Sequence, residues 1–293
     1  MRIRGGSGLG DAMYLRPIAE HFQSAGEQVT VCNDYPDVFL GSGAVTLPFD
    51  RFRIDVLAHY TVGKSNPATN QWQDICRSAG IDEIPLRFAW QVRNHWLVDV
   101  VESTAAGRPI VLVHGGRTPM GRTDGFGQEL LPEQRGFDAV IEALAGCFTV
   151  RIGKGDKLYP LHVDVDLNNG TSVSDLLDLG WCCDGVLGQC SFAIPLAEAF
   201  DKPLLVVWAA RGMAPGPHAY IRQITPRKVL SKPTSGHVVD DWPVDKIQEA
   251  ALTFRDQSFR AQAFRAEAFR AEALRAEALC DRQSRDPQPE IIA

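Results

Sequence analysis

The densest concentration of chemistry in the sequence is its first loop, Gly5-Gly6-Ser7-Gly8-Leu9-Gly10-Asp11. Glycines let backbone amides come close to a ligand, and a following helix aims the positive end of its dipole at the same place. Asp11 adds a carboxylate, whose plain structural use would be to cap that helix. Gly6, Gly8 and Gly10 do not keep the G-x-G-x-x-G spacing of a dinucleotide loop, and no clear acid ends the second strand. That argues against a nicotinamide-dependent oxidoreductase. A Walker A loop is excluded because no Gly-Lys-Ser/Thr follows. No Gly-x-Ser-x-Gly elbow occurs, so a hydrolase reading lacks its nucleophile. The turn His114-Gly115-Gly116 resembles an oxyanion turn, but no serine partner supports it.

The elements that must position these groups alternate between strand and helix. Met1–Arg4 reads as a strand, Ala12–Ala25 as a helix with Met13, Leu15, Ile18, Ala19 and Phe22 on one stripe, and Gln28–Cys32 as a second strand. Pro17 falls in the first turns of that helix, where proline is best tolerated. Asp34 to about Gly107 is irregular and aromatic. A second start follows at Pro109–Val113, a continuous apolar run of the buried parallel-strand type. Glu133–Cys147 reads as a helix, Phe148–Ile152 as a strand, and Ser172-Val173-Ser174-Asp175 as a capping box opening the helix Asp175–Leu179. Cys183–Gly188, Phe192–Phe200 and Pro203–Trp208 continue the alternation. The fold class is therefore α/β, with two Rossmann-like halves facing across a cleft. The expected division is 1–105, 106–250 and a tail over 251–293, with the hinge near Ser103–Arg108.

From Phe254 the tail repeats every five residues, with Phe259, Phe264, Phe269, Leu274 and Leu279 spaced by runs such as Arg-Ala-Glu-Ala. Its composition favours helix, yet a period of five advances about 140° per repeat, so the bulky residues spiral around the axis. A protruding helix, and a candidate for self-association, is expected over a β-solenoid. The polar residues beyond Asp281 read as disordered.

The start of the chain resembles the heptosyltransferase-like glycosyltransferases, relatives of the lipopolysaccharide heptosyltransferases. The resemblance rests on a strand, a Gly-x-Gly-Asp loop and a proline six places after the aspartate, here Asp11 and Pro17. It implies the two-Rossmann-domain (GT-B) fold and makes Asp11 the catalytic base that deprotonates an acceptor hydroxyl. Val111–Arg117 resembles the opening of the family's donor domain. By that resemblance Arg117, Arg122 and Lys154 are candidate contacts to the donor's phosphates, and guanidinium suits phosphate oxygens. Gly188–Pro203 aligns with the donor-diphosphate motif, with Ser191 a hydroxyl donor and Glu198 a ribose contact. Cys190, Phe192 and Pro195 depart from it, standing where aspartate, glycine and histidine are expected. Each cation is otherwise a solvated loop charge, and the Ser191 turn otherwise a packing turn.

Composition bounds the rest. The 293 residues suit two domains, and a net charge of −6 provides no global basic field for nucleic acid or acidic lipid. No apolar run is long enough to span a membrane, and no signal-peptide pattern opens the chain, so a cytoplasmic protein is expected. The seven cysteines suit neither a disulfide framework nor zinc, and His162, Asp164 and Asp166 read as a solvated strand face. His218 and His237 read as surface or acceptor-edge groups. The resulting expectation is a metal-independent, inverting glycosyltransferase without a cofactor. It would move a sugar from a nucleotide-diphosphate sugar to a hydroxyl of a glycan, lipid, protein or modified base. The alternative is a catalytically degenerate scaffold of the same fold that assembles through its tail.

Overall fold

The computed structural model of the chain describes residues 1–49, 54–60, 69–87, 89–115, 132–154, 160–210 and 229–285. Its first half runs β1 (Arg2–Arg4), α1 (Leu9–Ser24), β2 (Thr30–Cys32), a 3-10 turn (Pro36–Phe39), β3 (Val45–Leu47), β4 (Val56–Leu57), α2 (Gln71–Ser78) and α3 (His95–Ala105). The second runs β5 (Ile110–His114), α4 (Gln134–Ala143), β6 (Phe148–Arg151), β7 (Val165–Asp166), α5 (Val173–Cys182), β8 (Gly185–Gly188), α6 (Ala193–Ala199), β9 (Leu204–Trp208) and β10 (Ser235–Val239). A long helix, α7 (Val244–Arg285), ends the described chain.

Two parallel sheets result, in the orders β3-β2-β1-β4 and β10-β9-β8-β5-β6-β7. Counted from β5, the larger sheet has the doubly wound order 3-2-1-4-5-6. Strand alternation divides its side chains between two faces. Ile110, Leu112, Val186, Leu204 and Val206 join α5, α6 and the first half in one buried cluster. Val111, Val113, Leu187, Leu205 and Val207 pack instead on Phe137, Ile247, Ala251 and Phe254, from α4 and α7. Burial on both faces is why β5 and β9 read as unbroken apolar runs.

The two halves are joined by α3 and by buried polar contacts. Asp178 of α5, fully buried, accepts hydrogen bonds from Trp90 Nε1 (2.7 Å), Arg93 N (3.1 Å) and Asn94 N (2.7 Å). Asn94 then caps α3 through Leu97 N and donates to Asp175. The expected hinge is a tight turn, with Ala106 at φ 51° and Gly107 at φ 80°, leading from α3 into β5.

Three expectations change. Helix α1 starts at Leu9, three residues early, so Pro17 lies in its interior and costs it one i→i−4 hydrogen bond. The Ser172–Asp175 capping box forms as read, with Asp175 N donating to Ser172 Oγ at 3.0 Å, but its helix continues to Cys182. The C-terminal helix begins ten residues before Phe254, and Ile247, Ala251, Phe254 and Ser258 make a buried stripe against the larger sheet. The beginning of the repeat is thus packed rather than protruding. No described helix is long and apolar enough to cross a membrane.

Candidate functional site

Each sheet reverses its strand order beside one strand: β1 is flanked by β2 and β4, and β5 by β6 and β8. At such a switch point the loops diverge to opposite faces, leaving a crevice at the carboxyl ends where ligands of open parallel sheets bind.

The first crevice holds the glycine loop. Asp11 is the third residue of α1, and its Oδ2 accepts the Gly8 N–H at 3.0 Å. The carboxylate also lies on the Cα of Gly6, where a Cβ would fall 2.2 Å from Asp11 Oδ2. Strand β4 pairs in parallel with β1 (Arg4↔Leu57), and Ala58 N donates to Arg4 O at 2.8 Å, so His59 follows where β4 leaves β1 at the start of the glycine loop. Burial raises the Asp11 pKa, opposed by the Gly8 hydrogen bond and by the charge of His59. Burial also raises Tyr14 and Tyr60, helped by nearby carboxylates, so both phenols stay protonated. The helix-end contact and a raised carboxylate pKa therefore coexist in Asp11.

The second crevice lies between the ends of β5 and β8. His114 ends β5 and is buried, with its Nδ1 2.9 Å from Ser191 Oγ. The serine partner missing from the sequence reading of the His114 turn is thus supplied from 77 residues away. Ser191 Oγ also accepts from Ala193 N at 3.2 Å, at the start of α6. Gly153, at φ 126°, passes so close that a Cβ would fall 2.8 Å from His114 Cδ2, and the exposed Lys154 follows it. Arg151 Nη2 donates to Gly115 O at 3.0 Å behind the histidine.

Burial, then the charge of Arg151, lowers the His114 pKa to about 4. The ring is neutral at physiological pH and a weak base. The hydrogen bonds among the described residues place no carboxylate on its Nε2. The pair therefore lacks what activates a serine nucleophile, and it presents a fixed hydroxyl beside a neutral ring. Burial raises the Cys190 thiol to about 12, so it is no thiolate nucleophile.

Helices α1 and α6 bring the two crevices together. A Cβ on Gly10 would lie 3.4 Å from Phe192 Cα and 3.5 Å from Pro195 Cγ. Two of the departures from the family motif, Phe192 and Pro195, are therefore residues on which the glycine loop packs. Cys190, the third, is close enough to Tyr14 and Tyr60 to act on their titration.

The structure thus gathers Gly6, Gly8, Gly10 and Asp11 at one crevice and places Ser191 at the other, with Lys154 following the close-packed Gly153. Arg117, Arg122 and His218 lie outside the described residues. Glu198 is not placed as a ribose contact. It is fully buried, and its carboxylate accepts from Ser231 N (2.8 Å), Ser231 Oγ (2.6 Å) and Ser235 Oγ (3.4 Å). His237 packs its ring on Trp242 beside β10. Asp164 receives Thr149 and Arg108, and Asp166 receives Asn168 N, so these carboxylates have structural partners. Among the described residues no three His, Cys, Asp or Glu side chains converge on a metal-sized space. Cys76, Cys147, Cys182 and Cys183 are buried thiols outside any disulfide, and Cys190 is a half-buried one. Sequence reasoning missed His59 and Tyr60, whose only signal is the short apolar run Val56-Leu57-Ala58 before them.

No family model and no curated protein matches the chain. Solved structures do. E. coli ADP-heptose LPS heptosyltransferase II superposes with a TM-score of 0.56 at 13% identity, over 87% of this chain and 98% of that one. The fold is that of the heptosyltransferases. The dodecameric iron-containing heptosyltransferase TibC, solved with ADP-D-β-D-heptose, gives a TM-score of 0.54 at 12% identity, over 90% of this chain and 76% of that one. A glycosyl transferase family 9 protein from Veillonella parvula gives 0.54 at 9% identity, over 90% and 96%. The heptosyltransferase-like fold therefore carries, on this chain, an Asp11 crevice in one half opposite a Ser191 crevice in the other.

Proposed function

We propose that the chain is a glycosyltransferase that moves a sugar from a nucleotide-diphosphate sugar to an acceptor hydroxyl, with inversion and without a metal. The observation that carries the proposal is the Asp11 carboxylate, half-buried at the switch point of the first sheet and directed by Gly6 and Gly8. Asp11 takes the proton as the acceptor oxygen bonds to the anomeric carbon. The bond from that carbon to the diphosphate breaks, and its electron pair leaves with the nucleoside diphosphate. In one displacement the configuration inverts. On the other side the Ser191 hydroxyl, the amides at the start of α6 and Lys154 receive the diphosphate, with Arg117 and Arg122 as further cations. Fixed donors of that kind stabilise the charge that develops on the leaving group. The fold shared with ADP-heptose LPS heptosyltransferase II and with TibC supports this division of labour. The acceptor is a glycan, lipid, protein or modified base. Residues 1–105 form the acceptor domain and 106–250 the donor domain of this reading, and the protein acts in the cytoplasm. The repeat helix beyond the packed stripe offers a surface for self-association.

Titration calorimetry with nucleoside diphosphates tests the donor site: at least one should bind, and Ser191→Ala together with Lys154→Ala should weaken it. Absence of binding to every nucleoside diphosphate would sink the reading. A finer expectation concerns Gly6. A methyl group there displaces the Asp11 carboxylate, so Gly6→Ala should lower turnover about 100-fold, the usual consequence of an ångström-scale misplacement. Nucleotide affinity should stay unchanged, because the donor crevice is on the other sheet.

A further inference from the structure

We propose that His114 is the positioning residue of the donor crevice: its Nδ1–H donates to Ser191 Oγ, which leaves the serine's own proton to be given to a diphosphate oxygen. The inference rests on the glycosyltransferase reading for its ligand and on the structure for its geometry. A serine hydroxyl has one proton to donate and two lone pairs with which to accept. Among the described residues Ser191 Oγ has three hydrogen-bonding neighbours: Ala193 N at 3.2 Å, Gln189 O at 3.2 Å and His114 Nδ1 at 2.9 Å. Two of these have fixed roles, because an amide N–H only donates and a carbonyl only accepts. The ring nitrogen decides the rest. With the hydrogen on Nδ1, the ring fills the second lone pair and all three contacts are hydrogen bonds. With Nδ1 bare, the serine proton must go to the ring, and Gln189 O receives nothing from it. The Nδ1–H tautomer therefore satisfies three contacts where the other satisfies two.

The result is a hydroxyl whose lone pairs are both held and whose proton is held loosely. An O–H···O bond prefers about 2.7–2.8 Å, so the 3.2 Å link to Gln189 O is a long one. An anionic oxygen accepts more strongly than a peptide carbonyl. Turning the hydroxyl toward it breaks neither of the other two bonds. With the opposite tautomer the same serine would meet a phosphate oxygen with a lone pair, and the two would repel. The ring is fixed for this task. His114 pairs with Gly188 across β5 and β8, and its carbonyl accepts from Gln189 N at 3.2 Å. Phe192 packs on the ring with centroids 4.3 Å apart. Gly153 closes in as well, where a Cβ would fall 2.8 Å from Cδ2 and 3.2 Å from Nε2. Burial and the Arg151 charge lower the ring's pKa to about 4, so near neutral pH its tautomer, not its charge, sets the serine's direction.

The test begins with the tautomer, which needs no ligand. Histidine labelled with nitrogen-15 is followed by NMR in the full chain near neutral pH, and the His114 ring is assigned by its loss in His114→Asn. Nδ1 should show the shift of a protonated nitrogen and Nε2 that of a bare one. A bare Nδ1 overturns the proposal. Calorimetry with ADP, GDP, UDP, CDP and inorganic pyrophosphate then reads the hydroxyl. For the tightest of these, His114→Gln should weaken binding about tenfold, the usual worth of one hydrogen bond. His114→Asn, whose amide N–H falls near the place of Nδ1–H, should lose less. In a Ser191→Ala background His114→Gln should add nothing, because the histidine acts through the serine. A merely structural histidine would cost the same with or without the serine, and that result overturns the proposal. Should His114→Gln fail to fold, the wild-type tautomer and Ser191→Ala decide, and an unchanged affinity in Ser191→Ala overturns it. If none of the five probes binds the wild type, the donor-site reading falls and the serine loses its ligand. A bare Nδ1 in a protein that does bind nucleotide sinks the inference alone.

Discussion

Asp11→Asn should abolish sugar transfer while nucleotide affinity and stability survive. General base catalysis by a positioned carboxylate is worth about 100- to 10,000-fold, so turnover should fall into that range or below detection. The amide keeps the size of the carboxylate and an oxygen for the Gly8 N–H, so the loop should keep its shape. The folded pKa of Asp11 is raised, chiefly by burial, so the fold favours its neutral form. The sign follows: ionised Asp11 weakens the fold above its folded pKa, and stability recovers as pH falls through that value. A neutral amide removes the penalty, so Asp11→Asn should melt at the same temperature as wild type or higher near pH 7. Were Asp11 only a helix cap, the amide would replace it without loss of turnover, and no pH-dependent activity would be attached to it. In the wild type the same raised pKa places the acid limb of activity above the ordinary carboxylate range. The measurements are steady-state transfer, calorimetry with the best nucleoside diphosphate, and thermal melts at several pH values. A variant that keeps its turnover would remove Asp11 from the mechanism, and a wild type without turnover would favour the scaffold reading.

What the sequence discloses here is local, and what it hides is long-range. The strands Ile110–His114 and Leu204–Trp208 are legible because burial on both faces leaves them uniformly apolar. The Ser172–Asp175 box is legible because donor and acceptor are three residues apart. Asp11 is legible because its loop, its helix and Pro17 follow one another directly. The pairing of His114 with Ser191 is not, since strand order alone brings together residues 77 apart. Nor is the role of Asp178, whose partners Trp90, Arg93 and Asn94 lie in the irregular stretch where no periodicity shows. His59 follows a strand of two residues, Val56–Leu57, too short for alternation to register. Glu198 shows the converse: its place in a motif suggests a ligand, while its hydrogen-bond partners Ser231 and Ser235 are distant in sequence. The tail shows a third. Its repeat draws a boundary near Phe254, but the apolar stripe that packs the helix has helical spacing and crosses that boundary from Ile247 to Ser258.

That helix is held near its middle, beyond the apolar stripe, by one arginine, and Arg265→Ala is the substitution expected to cost the most stability. Asp184, just before β8, is 1% exposed, and its Oδ2 accepts the Ile110 N–H at 2.9 Å. Arg265 grips both its oxygens, through Nε and Nη2 at 3.0 Å each, and also pairs with Glu102 of α3. Removing the guanidinium leaves a buried carboxylate without its counter-charge, a change worth about 3 kcal/mol where a pair is well shielded. An exposed pair would cost under about 1 kcal/mol. The repeat itself provides the control. Arginine recurs at 260, 265 and 270, but five residues turn a helix by about 140°, so only Arg265 faces Asp184. Arg260 and Arg270 are exposed. Arg260→Ala and Arg270→Ala should therefore stay within about 0.5 kcal/mol of wild type in urea denaturation. Adding Asp184→Asn to Arg265→Ala should recover most of the loss, because the amide still accepts from Ile110 without a stranded charge. A loss in Arg265→Ala no larger than in Arg260→Ala would show that α7 is held by its apolar stripe alone. The larger loss would make Arg265 the pin by which the repeat helix ties α3 of the first half to β8 of the second.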